Sequence, residues 1–165
     1  DIVEDGSTFE ENALIKARAV AESACEGDIV LADDSGLEID YLGGEPGVYS
    51  ARYMADASYS EKNRVLIERL AGAKEEERSA RFACAIAAVL PDGRELLTEA
   101  YMEGRIAYEP AGSGGFGYDP ILYLPEYQKT SAELDIEEKN KISHRGKALE
   151  LMKEKLKEAL GGMEK

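Results

Sequence analysis

Asp33 and Asp34 directly follow the apolar run Ile29-Val30-Leu31-Ala32. The run reads as a short strand buried on both faces that ends at the pair. Two adjacent carboxylates there repel each other and resist desolvation, and a hard cation relieves both problems. The competing reading is an acidic turn in which Asp33 is a cap. Ser35-Gly36 is expected to turn the chain, and Gly43, Gly44, Pro46 and Gly47 mark a tight loop beyond Leu37 to Leu42.

Two further stretches carry chemistry. In Gly112-Ser113-Gly114-Gly115-Phe116-Gly117 the glycines let backbone N–H groups approach a ligand, Phe116 and Tyr118 can offer a face to a base, and Asp119 adds a polar edge. Ser143-His144-Arg145-Gly146-Lys147 sets the chain's one histidine beside an arginine at the expected start of the last helix, where anions are favoured. Taken singly, each has an ordinary counterpart. The glycine loop matches no dinucleotide or Walker fingerprint and is equally a turn; a lone histidine is more often structural; Lys139 is a solvated helix charge unless it reaches the same anion.

These residues need elements to hold them. Ser7 with Glu10, or Thr8 with Glu11, can form a capping box, after which Phe9, Ala13, Ala17, Val20, Ala21 and Ala24 recur at helical spacing until Gly27. Ser60 can cap a second helix through Leu70, with Val65, Leu66 and Leu70 inward and Gly72 as its stop. Lys74 to Arg78 reads as a solvated connector. Arg81 to Leu90 is apolar on both faces, as in a central strand; Pro91-Asp92-Gly93 turns it back into Arg94 to Met102, and Gly104 to Tyr108 extends or follows that strand after a break. Ile121 to Leu124 reads as another short buried strand, Asp135 caps a helix to Lys141, and Ser143 caps the last helix, whose stripe is Leu149, Met152, Leu156 and Leu160. Hairpin and crossover signals coexist, which predicts one α/β domain, residues 1–165, around a mixed sheet flanked by helices.

The composition narrows the partners. Twenty basic residues against 34 acidic ones give a formal charge of −14, which repels nucleic acid and anionic membranes but leaves room for a small anion carried with a divalent metal. With 44% hydrophobic residues and no apolar run of membrane-spanning length, the expected product is a soluble, cytoplasmic globule. Cys25 and Cys84 lack metal-ligand spacing and are expected to be reduced core thiols.

ADDSGLEIDYLGGEPGVYSARY (Ala32 to Tyr53), GSGGFGYDPI (Gly112 to Ile121) and SHRGKAL (Ser143 to Leu149) together resemble the signature segments of the inosine/xanthosine triphosphate pyrophosphatases. FEENALIKA (Phe9 to Ala17) resembles that family's first-helix motif. The resemblance spans nearly the whole chain in order. It implies an elongated two-lobed α/β fold, a homodimer, and Mg2+-dependent hydrolysis of ITP, dITP and XTP to a nucleoside monophosphate and pyrophosphate. It further implies that Asp34 is the proton acceptor and, with Glu4, the metal ligand, while Asp33 and Glu11 are supporting carboxylates. Substrate contacts carried over by the same resemblance are Ser35, Phe116, Gly117, Tyr118, Asp119, Lys139, His144 and Arg145. Family members begin with a strand and a Thr/Ser-Gly-Asn-x-x-Lys loop that grips the triphosphate. These residues contain no match to it, so the expected domain is N-terminally incomplete, and a nucleotide-binding module with impaired turnover is the alternative reading.

Overall fold

The computed structural model describes residues 4–161. Its helices are α1 (Phe9–Ala21), α2 (Tyr59–Arg69), α3 (Ile136–Ile142) and α4 (His144–Gly161), and its strands are β1 (Val30–Ile39), β2 (Ser79–Val89), β3 (Glu95–Ile106), β4 (Leu122–Leu124) and β5 (Lys129–Thr130). The five strands form one sheet in sequential order, so every sheet neighbour is also a sequence neighbour. The α/β class is as expected. The β3–β4 and β4–β5 pairs are antiparallel, and Leu90 N–H donates to the Arg94 carbonyl to close the β2–β3 hairpin. The chain packs as two compact units: Asp1–Ser35, Ala83–Tyr101 and His144–Lys165 form the first, Gly36–Phe82 and Met102–Ser143 the second. Each has its own core.

In the first unit, Thr8 is the cap of α1: its hydroxyl accepts the Glu11 N–H at 3.0 Å, and the Glu11 carboxylate returns to the Ser7 N–H at 2.8 Å. Phe9, Ala13 and Ala17 are buried at four-residue spacing and Asn12 lies with them, whereas Val20 is 45% exposed. The helix stops at Ala21, so Cys25 falls beyond it and is exposed rather than a core thiol. Cys84 is fully buried, with Ile86, Ala88, Ala100, Ala148 and Met152. The stripe of α4 is therefore Ala148, Met152 and, half-buried, Leu156; Leu149 points outward at 47% exposure. Small side chains on β2 and α4 allow this close approach, and Thr98 Oγ1 donates to the Ala148 carbonyl at 3.0 Å.

The second unit packs Leu37, Ile39, Leu66, Leu70, Phe82, Met102, Ile106, Ile121 and Leu122 together. Ser58, two residues before the expected Ser60, caps α2 by accepting the Glu61 N–H. Arg78 is no solvated connector residue. It is 2% exposed, and its guanidinium donates to the carbonyls of Ile106, Leu70 and Ala107 at 2.9, 3.1 and 2.9 Å. β3 runs unbroken through Gly104, where a Cβ would lie 2.5 Å from the Tyr123 carbonyl oxygen of β4. Glycine is what lets the strand continue.

Candidate active site

β1 is longer and less buried than the apolar run suggests. It crosses Asp33, Asp34, Ser35 and Gly36 without turning, and Ile29 and Leu31 are 39% and 48% exposed. The acidic pair thus sits mid-strand. This placement resolves the repulsion between the two carboxylates, because successive side chains on a strand point to opposite faces.

On one face, Asp33 Oδ2 lies 2.9 Å from Nη2 of Arg145, and the same nitrogen is 3.4 Å from Oγ of Ser35, two residues along. Arg145 and His144 are supplied by the first turn of α4. On the other face, Lys16 of α1 places its ammonium 3.2 Å from Asp34 Oδ1 and 2.9 Å from Oε1 of Glu4, and donates to the Asp33 carbonyl oxygen at 2.8 Å. Asp34 Oδ2 is buried and has no hydrogen-bond partner among the described residues. Burial pushes the Asp34 carboxyl above the ordinary carboxylate range; Lys16 opposes that shift, and the nearby negative charge of Glu4 adds to it. Beneath them burial, reinforced by Asp33, pushes the Cys84 thiol up to about 11, which keeps it protonated and inert. Glu11, in the first turn of α1, engages its carboxylate with the Ser7 N–H beside the Thr8 cap and is exposed.

Two groups of this cluster went unread in the sequence: Lys16 and Asn12. Asn12 is 1% exposed and its Oδ1 accepts the Gly6 N–H at 2.8 Å, tying down the segment that carries Glu4. Asn12 and Lys16 are four residues apart and so share one helix face. Polar residues at that spacing on an otherwise small apolar face were the available signal.

In the second unit the glycine loop is held by Asp119, which is 4% exposed. Its Oδ2 accepts the Phe116 N–H at 2.6 Å and lies 2.5 Å from the Lys139 ammonium, and its Oδ1 accepts from Ser131 Oγ at 2.6 Å. Both carboxylate oxygens are thereby used inside the protein, so Asp119 acts as a brace for the loop and for Lys139. A Cβ on Gly115, whose φ is +77°, would collide with that carboxylate. The two aromatics part company. Phe116 is 81% exposed, while Tyr118 is buried, donates its hydroxyl hydrogen to the Ser50 carbonyl at 2.6 Å, and has its phenol pushed upward by burial. Only Phe116 offers a face to a ligand. Ser50 in turn accepts the Leu37 N–H at 2.9 Å, and a Cβ on Gly36 would lie 2.5 Å from its Oγ.

Residues 1–155 match the model of the Ham1 family. The chain belongs to the Ham1 family. It is 49% identical over 162 residues to the dITP/XTP pyrophosphatase of Clostridium perfringens, covering 95% of this chain and 79% of that protein. It is 52% identical over 155 residues to the dITP/XTP pyrophosphatase of Thermus thermophilus, covering 94% and 74%. Among solved Ham1 structures, that of the Staphylococcus aureus protein superposes with a TM-score of 0.89 at 42% identity, covering 96% of this chain and 81% of the other. The Coxiella burnetii HAM1 protein gives 0.87 at 49% identity, with the same coverage. Among the described residues of this Ham1 chain, no helix is long and apolar enough to cross a membrane.

Proposed function

We propose that this Ham1 protein hydrolyses noncanonical purine nucleoside triphosphates, ITP, dITP and XTP, to the nucleoside monophosphate and pyrophosphate, as a cytoplasmic homodimer and a single Mg2+-dependent catalytic domain. The observation that carries the reading is the state of Asp34: one oxygen shared with Lys16, the other buried and bare, and the carboxyl raised above its ordinary range. A general base works best when its pKa lies closer to neutral than a free carboxylate's, and Asp34 meets that condition. The names of the relatives support the choice of substrate.

Glu4 and Asp34 suit a magnesium ion. They already share one cation, the Lys16 ammonium, their donors are hard oxygens, and the bare Asp34 oxygen is a ready ligand. Among the described residues no group of three or more His, Cys, Asp or Glu is arranged around a common metal position. Magnesium asks for no more than one or two carboxylates, because water and substrate phosphates complete its shell. When bound, the ion would neutralise phosphate charge and polarise the phosphorus centre. Asp34 takes the proton from the water that attacks the α-phosphorus. Ser35, His144 and Arg145 bind phosphate oxygens, Arg145 with a planar fork of donors. Phe116 stacks on the purine, and Lys139, held by Asp119, donates to the 6-oxo group that adenine lacks. Asp33 orients Arg145, and Glu11 supports the cluster only through the cap that orients α1.

The test is to incubate the protein with ITP, XTP, dITP, ATP and GTP plus magnesium and to identify the phosphorus products by 31P NMR. Pyrophosphate from ITP, dITP or XTP far faster than from ATP is the expected result. Inorganic phosphate, or equal use of ATP, would refute it; tight binding of ITP with no turnover would support a nucleotide-binding module instead.

A further inference from the structure

The face of α2 that meets the glycine loop carries polar groups that the proposed reaction leaves unassigned. Asn63 is 3% exposed; its Nδ2 donates to the Gly117 carbonyl at 3.2 Å, while its Oδ1 is buried with no hydrogen-bond partner among the described residues. A half-satisfied buried amide is costly, so packing alone would favour an apolar side chain there. One turn earlier, the Tyr59 ring lies 5.7 Å from that of Phe116 and 5.2 Å from that of Tyr118, edge-on to the latter. Lys62, itself 3% exposed, rests its ammonium 4.3 Å from the centre of the Tyr59 ring and makes no ion pair among the described residues. Gly117 has φ of +61°, and a Cβ there would touch the Tyr59 ring at 3.4 Å. Tyr59 and Asn63 therefore hold the loop together, one through the rings and the other through a peptide carbonyl.

We propose that Asn63 and Tyr59 are positioning residues for the purine base: Asn63 fixes the Gly117 peptide and Tyr59 backs the Phe116 ring, so that α2 determines how the base is stacked. This rests on the functional reading above. Neither residue touches the reacting phosphate. Their loss should weaken recognition of the base and leave phosphate binding and the acid limb of the pH profile where they are.

The variants are Asn63→Asp and Asn63→Ser, which remove the Nδ2 donor, and Tyr59→Leu, with Tyr59→Phe as the conservative rescue. Binding of inosine monophosphate and, separately, of pyrophosphate is measured by titration calorimetry with magnesium. Near-UV circular dichroism reports the aromatic cluster, undisturbed by tryptophan because the chain has none. Removing base stacking should raise the dissociation constant of inosine monophosphate about fivefold or more. The pyrophosphate constant and the far-UV spectrum should stay unchanged, and Tyr59→Phe should behave as wild type. Unchanged inosine monophosphate affinity in folded Asn63→Ser and Tyr59→Leu, or equal loss for both ligands, overturns the proposal. If the wild type turns over ITP and these variants match it, only this inference fails; if the wild type neither binds nor cleaves inosine nucleotides, the functional reading fails and takes this one with it.

Discussion

The ammonium of Lys16 stands 3.2 Å from Oδ1 of Asp34 and 2.9 Å from Glu4 Oε1, so one internal cation serves both carboxylates. Burial is the largest influence on Asp34 and raises its pKa, and Lys16 is what limits the rise. The geometry explains how a carboxylate is kept ionisable yet basic on a strand that also carries Asp33: the pleat turns Asp33 toward Arg145 and Asp34 toward Lys16.

Replacing Lys16 with Met should therefore shift the acid limb of the kcat/KM profile to higher pH. Asp34 must be deprotonated to act, and it loses the two Lys16 effects that hold its pKa down. A profile unmoved, or shifted to lower pH, would contradict the role given to Lys16.

Asp34→Asn should stabilise the metal-free fold at neutral pH. A carboxyl whose pKa is higher folded than unfolded favours folding while protonated, and that contribution is lost as pH rises between its unfolded and folded values. Thermal unfolding without magnesium checks this: the variant's advantage in Tm should be present at pH 7, shrink as the pH falls from the raised folded value toward the ordinary carboxylate value, and be gone below it.

Arg78→Leu should destabilise strongly. It removes the guanidinium donor from the Ile106 and Ala107 carbonyls, while the Leu70 carbonyl keeps the Ala73 N–H. An unsatisfied buried group costs ~1–3 kcal/mol, so the loss should be about 2 kcal/mol or more, read as a lower urea midpoint with an unchanged m-value.

Asp119→Ala should loosen the glycine loop, because the Phe116 N–H, Ser131 Oγ and Lys139 all lose their acceptor at once. Hydrogen bonds to charged groups are worth ~1.5–3 kcal/mol each, so KM for ITP should rise at least about tenfold. An unchanged KM would mean the brace does not matter to the substrate.

The types and order of the elements were legible in the sequence because periodicity and turn residues are local. The Thr8 cap of α1, the apolar β2 and the burial of Cys84 follow from such signals. The extent of β1 was not. An apolar run followed by two acids and Ser-Gly reads as a strand that stops, whereas opposite-face partners on α1 and α4 let it continue through Ile39. Leu149 and Val20 were misplaced because an amphipathic stripe fixes a face only to within one residue per turn, and the small residues Ala13, Ala17 and Ala148 took the inside; Cys25 was misplaced because α1 stops at Ala21, short of it. Lys16, Asn63 and Arg78 were missed because their partners lie far away in sequence: the Asp33 carbonyl, the Gly117 carbonyl and the Ile106 carbonyl.

The most direct test is hydrolysis of ITP with magnesium in 18O-labelled water, run with wild type and with Asp34→Asn. A general base contributes about 10²–10⁴-fold, so the variant should be slower by that factor while still binding inosine monophosphate. In the wild type the label should appear in inosine monophosphate and not in pyrophosphate, because water attacks the α-phosphorus. Label in pyrophosphate, inorganic phosphate as the product, or full activity in Asp34→Asn would contradict it.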